Sequence, residues 1–329
     1  METLNIGLAG LGYWGPNLAR NLDDLPGLEL GWICDRDEGA LARVAPRFPN
    51  AQRTARFEDL LEDASLDAVA IATPVVTHFE LAREALLASK HVFVEKPLAL
   101  SSTLSEQLVA LAEERGLVLM PGHLLLYHPG VSKLKELVAG GELGRFLYVY
   151  GNRQNLGQIR RDENALWSLG AHDLSVILHL VDEEPIEAWA RGESFLNPGV
   201  EDVVFCFLRF PSGVVAHMHL SWLDPHKIRR MTVVGDRKMA VFDDMELERK
   251  VTVYDKGPER RADTWGEWQA RTGDISIPKI SNAEPLRLEC EHFLALVRGE
   301  GDRLQAARAG VAVVRALEAL QASLEREKV

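Results

Sequence analysis

The sequence predicts an α/β protein of two domains: a parallel sheet wound with helices, then a second α/β domain built on an open, mostly antiparallel sheet. Two observations carry this. From the start to about Met120, apolar runs of strand length alternate with helical periodicities, the pattern of βαβ units. Beyond Pro121 and Gly122 the runs become longer, alternating and rich in β-branched and aromatic residues, as in strands with two unlike faces. The domains are therefore read as 1–122 and 123–329, and 329 residues suffice to bury two cores.

In order, the first domain offers strands at Asn5 to Ala9, Leu28 to Cys34, Ala68 to Thr73, Val92 to Glu95 and Leu117 to Met120. Their near-continuous apolar character suits a sheet covered on both faces. A helix through Lys133 to Val138 opens the second domain. Then come the strand candidates RFLYVYGN, IEAWARGESF, DVVFCFLRF, VVAHMHLSWL, RRMTVVG and MAVFDD, linked by turns such as Pro211-Ser212-Gly213. Helices at Pro285 to Val297 and Gln305 to Leu324 close the chain. Apolar side chains at Phe205, Phe207, Met218 and Trp222 suggest a sheet face covered by another copy, hence a homodimer or homotetramer.

A net charge of −12 disfavours a general nucleic-acid binder, which needs a basic stripe. No apolar run reaches the roughly 18 residues that span a bilayer, and a strand follows Met1 where a signal-peptide core would stand, so no membrane partner and a cytoplasmic location are expected. Cys34, Cys206 and Cys290 lie far apart in apolar runs and read as reduced, buried thiols. His217 and His219 alternate onto one sheet face, but no third ligand follows at a suitable spacing, and no metal is expected.

The stretch LNIGLAGLGYWGPN sets Gly10, Gly12 and Gly15 between a strand and a helix, with Tyr13 and Trp14 inside the motif. Glycine-rich turns alone are weak signals. In this context Gly10 permits the tight turn, Gly12 lets the backbone approach a pyrophosphate, Gly15 lets helix and strand pack closely, and the helix N-terminus faces the anion. The first domain is then a Rossmann domain that binds a dinucleotide. Asp35 ends the second strand 23 residues after Gly12, where an acid bonds the ribose 2′-hydroxyl, which favours NAD. Arg36 beside it keeps NADP open. Thr73 and Pro74 follow the next strand at its ligand-binding end, and Thr77 stands where a helix cap would. His78 then reads either as a cofactor contact or as an ordinary helix-start residue.

In VFVEKPLAL an apolar strand runs into Glu95, Lys96 and Pro97. Alone, such a trio is a surface ion pair beside a turn. Placed at the C-terminal end of a strand in a dinucleotide-binding sheet, Glu95 and Lys96 point into the ligand crevice, and Pro97 offers a cis bond that holds the lysine backbone.

These residues carry a resemblance. Gly10 to Gly15, Ala72-Thr73-Pro74, EKPLALS from Glu95 to Ser101, and GHLLLYHPGVSKLKEL together resemble the glucose-fructose oxidoreductase, inositol dehydrogenase and MocA family, written Gfo/Idh/MocA, over essentially the whole chain. GELGRFLYVYGNRQNLG, NALWSLGAHDLS and LSWLDPHKIRRMTVVG are similar to the branch that oxidises the 3-position of nucleotide-linked sugars. The resemblance implies hydride transfer between a nicotinamide and a sugar or cyclitol carbon, with Lys96 contacting the reacting hydroxyl and His172 as the acid/base.

In NALWSLGAHDLSVILHLV, Ser168 and His172 are four apart and should share a helix face. Many family members carry an aspartate where Ser168 stands. That departure keeps a second reading open, a catalytically silent sensor of dinucleotide and sugar. Trp167 reads as a wall of the nicotinamide pocket or as core. Tyr127, Arg153, Asn155 and Ser168 join Lys96 and His172 as candidate substrate contacts; Arg153, Arg160 and Arg161, and a second cluster at Lys227, Arg229 and Arg230, read either as guanidinium and ammonium groups for a diphosphate or as solvated loop charge.

Overall fold

The structure is a computed structural model and describes residues 3–157, 159–161, 163–260 and 268–326. It divides into two compact units, Met1–Tyr127 with Ala283–Arg315, and His128–Asn282 with Ala316–Val329.

In the first unit β1 (Leu4–Ala9), β2 (Leu28–Cys34), β3 (Gln52–Thr54), β4 (Ala68–Ile71), β5 (His91–Glu95) and β6 (Leu119–Gly122) form a parallel sheet in the order β3-β2-β1-β4-β5-β6. This is the doubly wound order of a Rossmann fold. Helices α1 (Gly15–Asp23), α2 (Glu38–Val44), α3 (Phe57–Glu62), α4 (His78–Leu87) and α5 (Ser102–Arg115) make the crossovers. β4 is buried along its whole length, which accounts for its unbroken apolar run. Register aligns the strand ends: Ala9 pairs with Cys34 and with Ile71, Ile71 with Val94, and Glu95 with Gly122. Gly10, Asp35, Ala72 and Glu95 therefore reach the carboxyl edge side by side, where doubly wound sheets bind ligands.

Two strand expectations shift. Gly116, left-handed at φ 65°, ends α5, and its successor Leu117 donates to Ala112 O, so Leu117 belongs to the helix cap and β6 begins two residues later. Pro121 is tolerated within β6 because β6 is the last strand of the sheet order. β4 ends at Ile71, which leaves Thr73 and Pro74 beyond the strand.

The second unit holds α6 (Pro129–Ala139), β7 (Phe146–Gln154), a π-turn at Leu166–Gly170, α7 (Ala171–Val181), β8 (Glu187–Glu193), β9 (Val203–Arg209), β10 (Val215–Ser221), β11 (Ile228–Gly235), β12 (Met239–Asp243), β13 (Val251–Arg260) and β14 (Trp268–Ser276). Its sheet runs β14-β13-β12-β11-β7-β10-β9-β8, with β7 and β10 parallel and the other neighbours antiparallel. Strand alternation corrects the outer face inferred from sequence. Met218 pairs with Cys206 and both are buried, as is Trp222, whereas Phe205 pairs with His219 on the opposite, open face. There Phe205 stacks on His219 at 4.4 Å and Tyr150 on His217 at 4.9 Å, with Trp189 also exposed.

Helices α8 (Pro285–Val297) and α9 (Gln305–Arg326) follow. The boundary at 122/123 with everything later in one domain does not hold: α8 and the first half of α9 belong to the first unit. The reason is packing. Leu286, Cys290, Phe293 and Leu294 enter one core cluster with Ile6, Leu8, Leu30 and Phe93, and Phe93 meets Phe293 edge-on at 5.8 Å and 81°. Truncating this anchor, Phe293→Ala, should cost about 3–5 kcal/mol of stability. Urea unfolding measures it, and a loss below about 1 kcal/mol would show that α8 is not anchored there.

Candidate functional site

In the first unit the glycine turn has little tolerance. Gly10 sits at φ +97°, and a Cβ there would stand 2.5 Å from the Ala72 carbonyl group; a Cβ on Gly15 would stand 2.0 Å from Gly10 O. Among the described residues no atom lies within 4 Å of a Cβ added at Gly12, so the backbone is open at the position assigned to a pyrophosphate. No acidic residue occupies the first turn of α1, so an anion at its N-terminus would meet no opposing carboxylate from that turn. These residues fit a dinucleotide. Tyr13 is 92% exposed beside the turn and Trp14 half-buried.

Asp35 is committed to the same loop: Oδ2 accepts from Leu11 N at 2.6 Å and Oδ1 from Asp37 N at 2.8 Å. A carboxylate has about four acceptor positions, so a ribose hydroxyl can still be added. Arg36 is exposed.

Thr77 occupies the N-cap position of α4 but makes no side-chain cap bond; its hydroxyl donates to Pro74 O at 2.8 Å and meets Thr73 Oγ1 at 2.7 Å. Of the two readings of His78, the direct cofactor contact does not fit the geometry. It is buried, with Nδ1 2.9 Å from Pro97 O and Nε2 2.9 Å from Thr73 O, so both ring nitrogens address main-chain carbonyls and neither is left for a ligand.

The Lys96–Pro97 bond is cis, as its position suggested, and Lys96 N donates to Glu95 Oε2 at 3.3 Å. Burial pushes the Glu95 carboxyl up to about 7, against the pull of Lys96. Two further groups here escaped sequence reasoning. His123 is buried with no hydrogen-bond partner for either ring nitrogen among the described residues, and burial, then the Lys96 charge, pushes it down to about 4. Glu289 on α8 is fully buried with both carboxyl oxygens likewise unpartnered, and burial, then Glu95, holds its carboxyl well above the usual range. Its signal was present: Leu286, Glu289, Cys290 and Phe293 form one i, i+3, i+4, i+7 stripe with an acid in it. Tyr127 OH is engaged by His292 Nδ1 at 2.7 Å.

In the second unit, Trp167, Ser168 and His172 are half-buried. Asn164 starts their segment: its Oδ1 accepts from Trp167 N at 3.1 Å, and its Nδ2 donates to Glu201 Oε2 at 2.7 Å and to Gln321 Oε1 at 3.0 Å. The expected α-helical alignment of Ser168 with His172 is modified, because Ser168 lies inside the π-turn, whose i→i+5 bonding puts an extra residue into the turn. Arg153 is not a free guanidinium. Nε and Nη2 hold Asp173 Oδ1 at 2.8 and 2.7 Å in a buried pair. Arg160 pairs with Glu163 at 2.9 Å, Arg230 with Asp243 at 2.6 Å and Arg229 with Asp244 at 3.5 Å. Arg161 and Lys227 are exposed, and Asn155 N donates to Ser221 O at 3.1 Å. The three cysteines are free and buried.

A family model described as an oxidoreductase family with an NAD-binding Rossmann fold matches residues 4–123, and the Gfo/Idh/MocA C-terminal domain model matches residues 131–241. The solved structure of UDP-N-acetylglucosamine 3-dehydrogenase from Acidithiobacillus ferrooxidans is similar, with 25% identity, a TM-score of 0.83 and 99% of each chain covered. GenD2 from gentamicin A biosynthesis, solved in complex with NAD, is 25% identical with a TM-score of 0.83 over 99% of this chain and 95% of its own. Inositol 2-dehydrogenase 2 of Paenarthrobacter aurescens is 27% identical over 98% of this chain and 97% of its own.

The Glu95 carboxyl supplies a pH test. Its folded value of about 7 exceeds the ordinary 4.5, so the native state keeps a proton that the unfolded chain releases. Its contribution to stability is present below about 4.5 and falls as pH rises to about 7. Relative to wild type, Glu95→Gln should gain stability across this window, measured by urea unfolding from pH 4.5 to 8. Parallel pH profiles would refute the shift.

Proposed function

The chain belongs to the Gfo/Idh/MocA oxidoreductases, and on that basis we propose that it is an NAD-dependent dehydrogenase acting on a secondary alcohol of a sugar, carried by a nucleotide and oxidised at the 3-position. The observation that carries the reading is the pairing of an intact glycine cradle with Glu95, Lys96 and cis-Pro97 at the same sheet edge. NAD rather than NADP is favoured by Asp35, whose carboxylate is already oriented by two amides at the ribose position.

NAD, when bound, supplies the hydride acceptor. Lys96 donates a hydrogen bond from Nζ to the substrate hydroxyl oxygen and holds it in place. A ring nitrogen of His172 takes the hydroxyl proton as the carbon loses its hydride, so alcohol becomes carbonyl and one proton stays on imidazole. The ion pairing of Arg153, Arg160, Arg229 and Arg230 favours a second reading, in which the substrate is an uncharged sugar or inositol. A panel of UDP-sugars, free sugars and inositols with NAD, followed by absorbance of the reduced cofactor, separates the two.

With the substrate so found, Lys96→Ala and His172→Ala should each lower kcat by about 10²–10⁴ while the Kd for NAD changes less than about threefold. Retained turnover in either variant would remove that residue from the chemistry. The open sheet face with Phe205, Trp189 and Tyr148 suits a second copy of the chain. Phe205→Glu should then convert an oligomer to monomer by light scattering, and a wild-type monomer would refute the interface.

A further inference from the structure

Histidine 78 bridges two loops that the proposed function uses for different purposes. Thr73, whose carbonyl lies 2.9 Å from Nε2, leaves β4 at the cofactor edge, and Pro97, whose carbonyl lies 2.9 Å from Nδ1, follows Lys96. The ring is almost wholly buried. Carbonyl oxygens only accept, so two full hydrogen bonds require protons on both nitrogens. Burial, with the Lys96 charge adding to it, outweighs the two carbonyls and lowers the proton affinity of the ring, which leaves one N–H to distribute. The contact to Pro97 O is buried, whereas that to Thr73 O is only partly so. An unmet carbonyl costs more in the buried position, so the proton belongs on Nδ1.

We propose that His78 is a positioning residue for Lys96: its Nδ1–H grips the Pro97 carbonyl and thereby fixes where the lysine amine stands at the carboxyl edge. The role of Lys96 in turnover comes from the function proposed above, but the grip itself does not depend on it.

Two substitutions separate the two ends of the ring. In His78→Asn the amide nitrogen stands where Nδ1 stood and can still donate to Pro97 O. In His78→Gln it stands nearer the Nε2 position and reaches Thr73 O instead, and His78→Leu reaches neither. Three readouts are taken on the full chain: kcat, the rate at which acetic anhydride acylates Lys96, followed by peptide mass, and the imidazole ¹⁵N spectrum of the wild type. The Asn variant should keep kcat and the Lys96 acylation rate within about threefold of wild type, while Gln and Leu each lose about tenfold or more in kcat and shift the acylation rate. The ¹⁵N spectrum should show the Nδ1–H form. Equal effects of Asn and Gln on acylation, or an Nε2–H ring in the wild type, overturn the proposal. Should the variants fail to fold, the ring spectrum alone decides it. Absence of turnover in the wild type would count against the proposed function, with acylation and spectrum still deciding the grip.

Discussion

Parallel pairing of β1 with β2 and β4, and of β5 with β4 and β6, brings Gly10, Asp35, Ala72, Glu95 and Gly122 to one row at the carboxyl edge of the sheet. Main-chain bonds extend the ladder past the strands, Gly10 N to Cys34 O at 2.8 Å and Ala72 N to Ala9 O at 2.7 Å. Ala72 is so close that only a glycine fits at position 10 of the turn. A one-residue slip in any of these strands would turn its side chains to the opposite face and break the row, so register is the constraint from which the first unit's chemistry follows. The glycine turn, Asp35, the Lys96 loop and His123 all begin at that row.

The same geometry forces ionisable groups into poorly solvated space beside Lys96. Two unit charges about 4 Å apart interact by about 4 kcal/mol at an effective dielectric near 20, comparable with a buried group's desolvation, so neighbours decide charge states. Glu95 is raised by burial and restrained by Lys96, and the balance leaves it near neutrality, where a group changes charge within the working pH range. His123, driven down to about 4, contributes a dipole and no charge. Glu289 is opposed both by burial and by Glu95, so ionisation of one acid resists ionisation of the other. The pair keeps the negative charge near the lysine low, and Glu95 is the member whose pKa lies nearer neutrality.

Much of the first unit was legible because its signals are local. Buried parallel strands read as apolar runs, glycines mark the turn, and Glu95, Lys96 and Pro97 stand directly after a strand. β3 was not legible, since Gln52–Thr54 is three residues long with two of them exposed. β13 and β14 were missed because β14 is exposed along almost its whole length and shows no alternation to read. Long-range pairing explains the remaining differences. Nothing near Arg153 in sequence reveals Asp173, nor does Pro285–Val297 disclose that Phe293 returns to Phe93. His78 was found at its helix start, but the direction of its ring depends on carbonyls from two other loops.

In the second unit, the buried pair of Arg153 and Asp173 ties α7 to β7. Asp173 follows His172 directly; both close contacts of its Oδ1 come from Arg153, and Oδ2 faces Gly151. A side chain so held orients its helix: Asp173 faces β7, and at about 100° per residue His172 is turned away from that contact. The acid cannot leave without stranding a buried guanidinium, which would cost several kcal/mol. Asp173 therefore fixes the rotation of α7. Ser168, four residues before His172, lies in the π-turn that leads into α7, an element of a kind that recurs at functional sites.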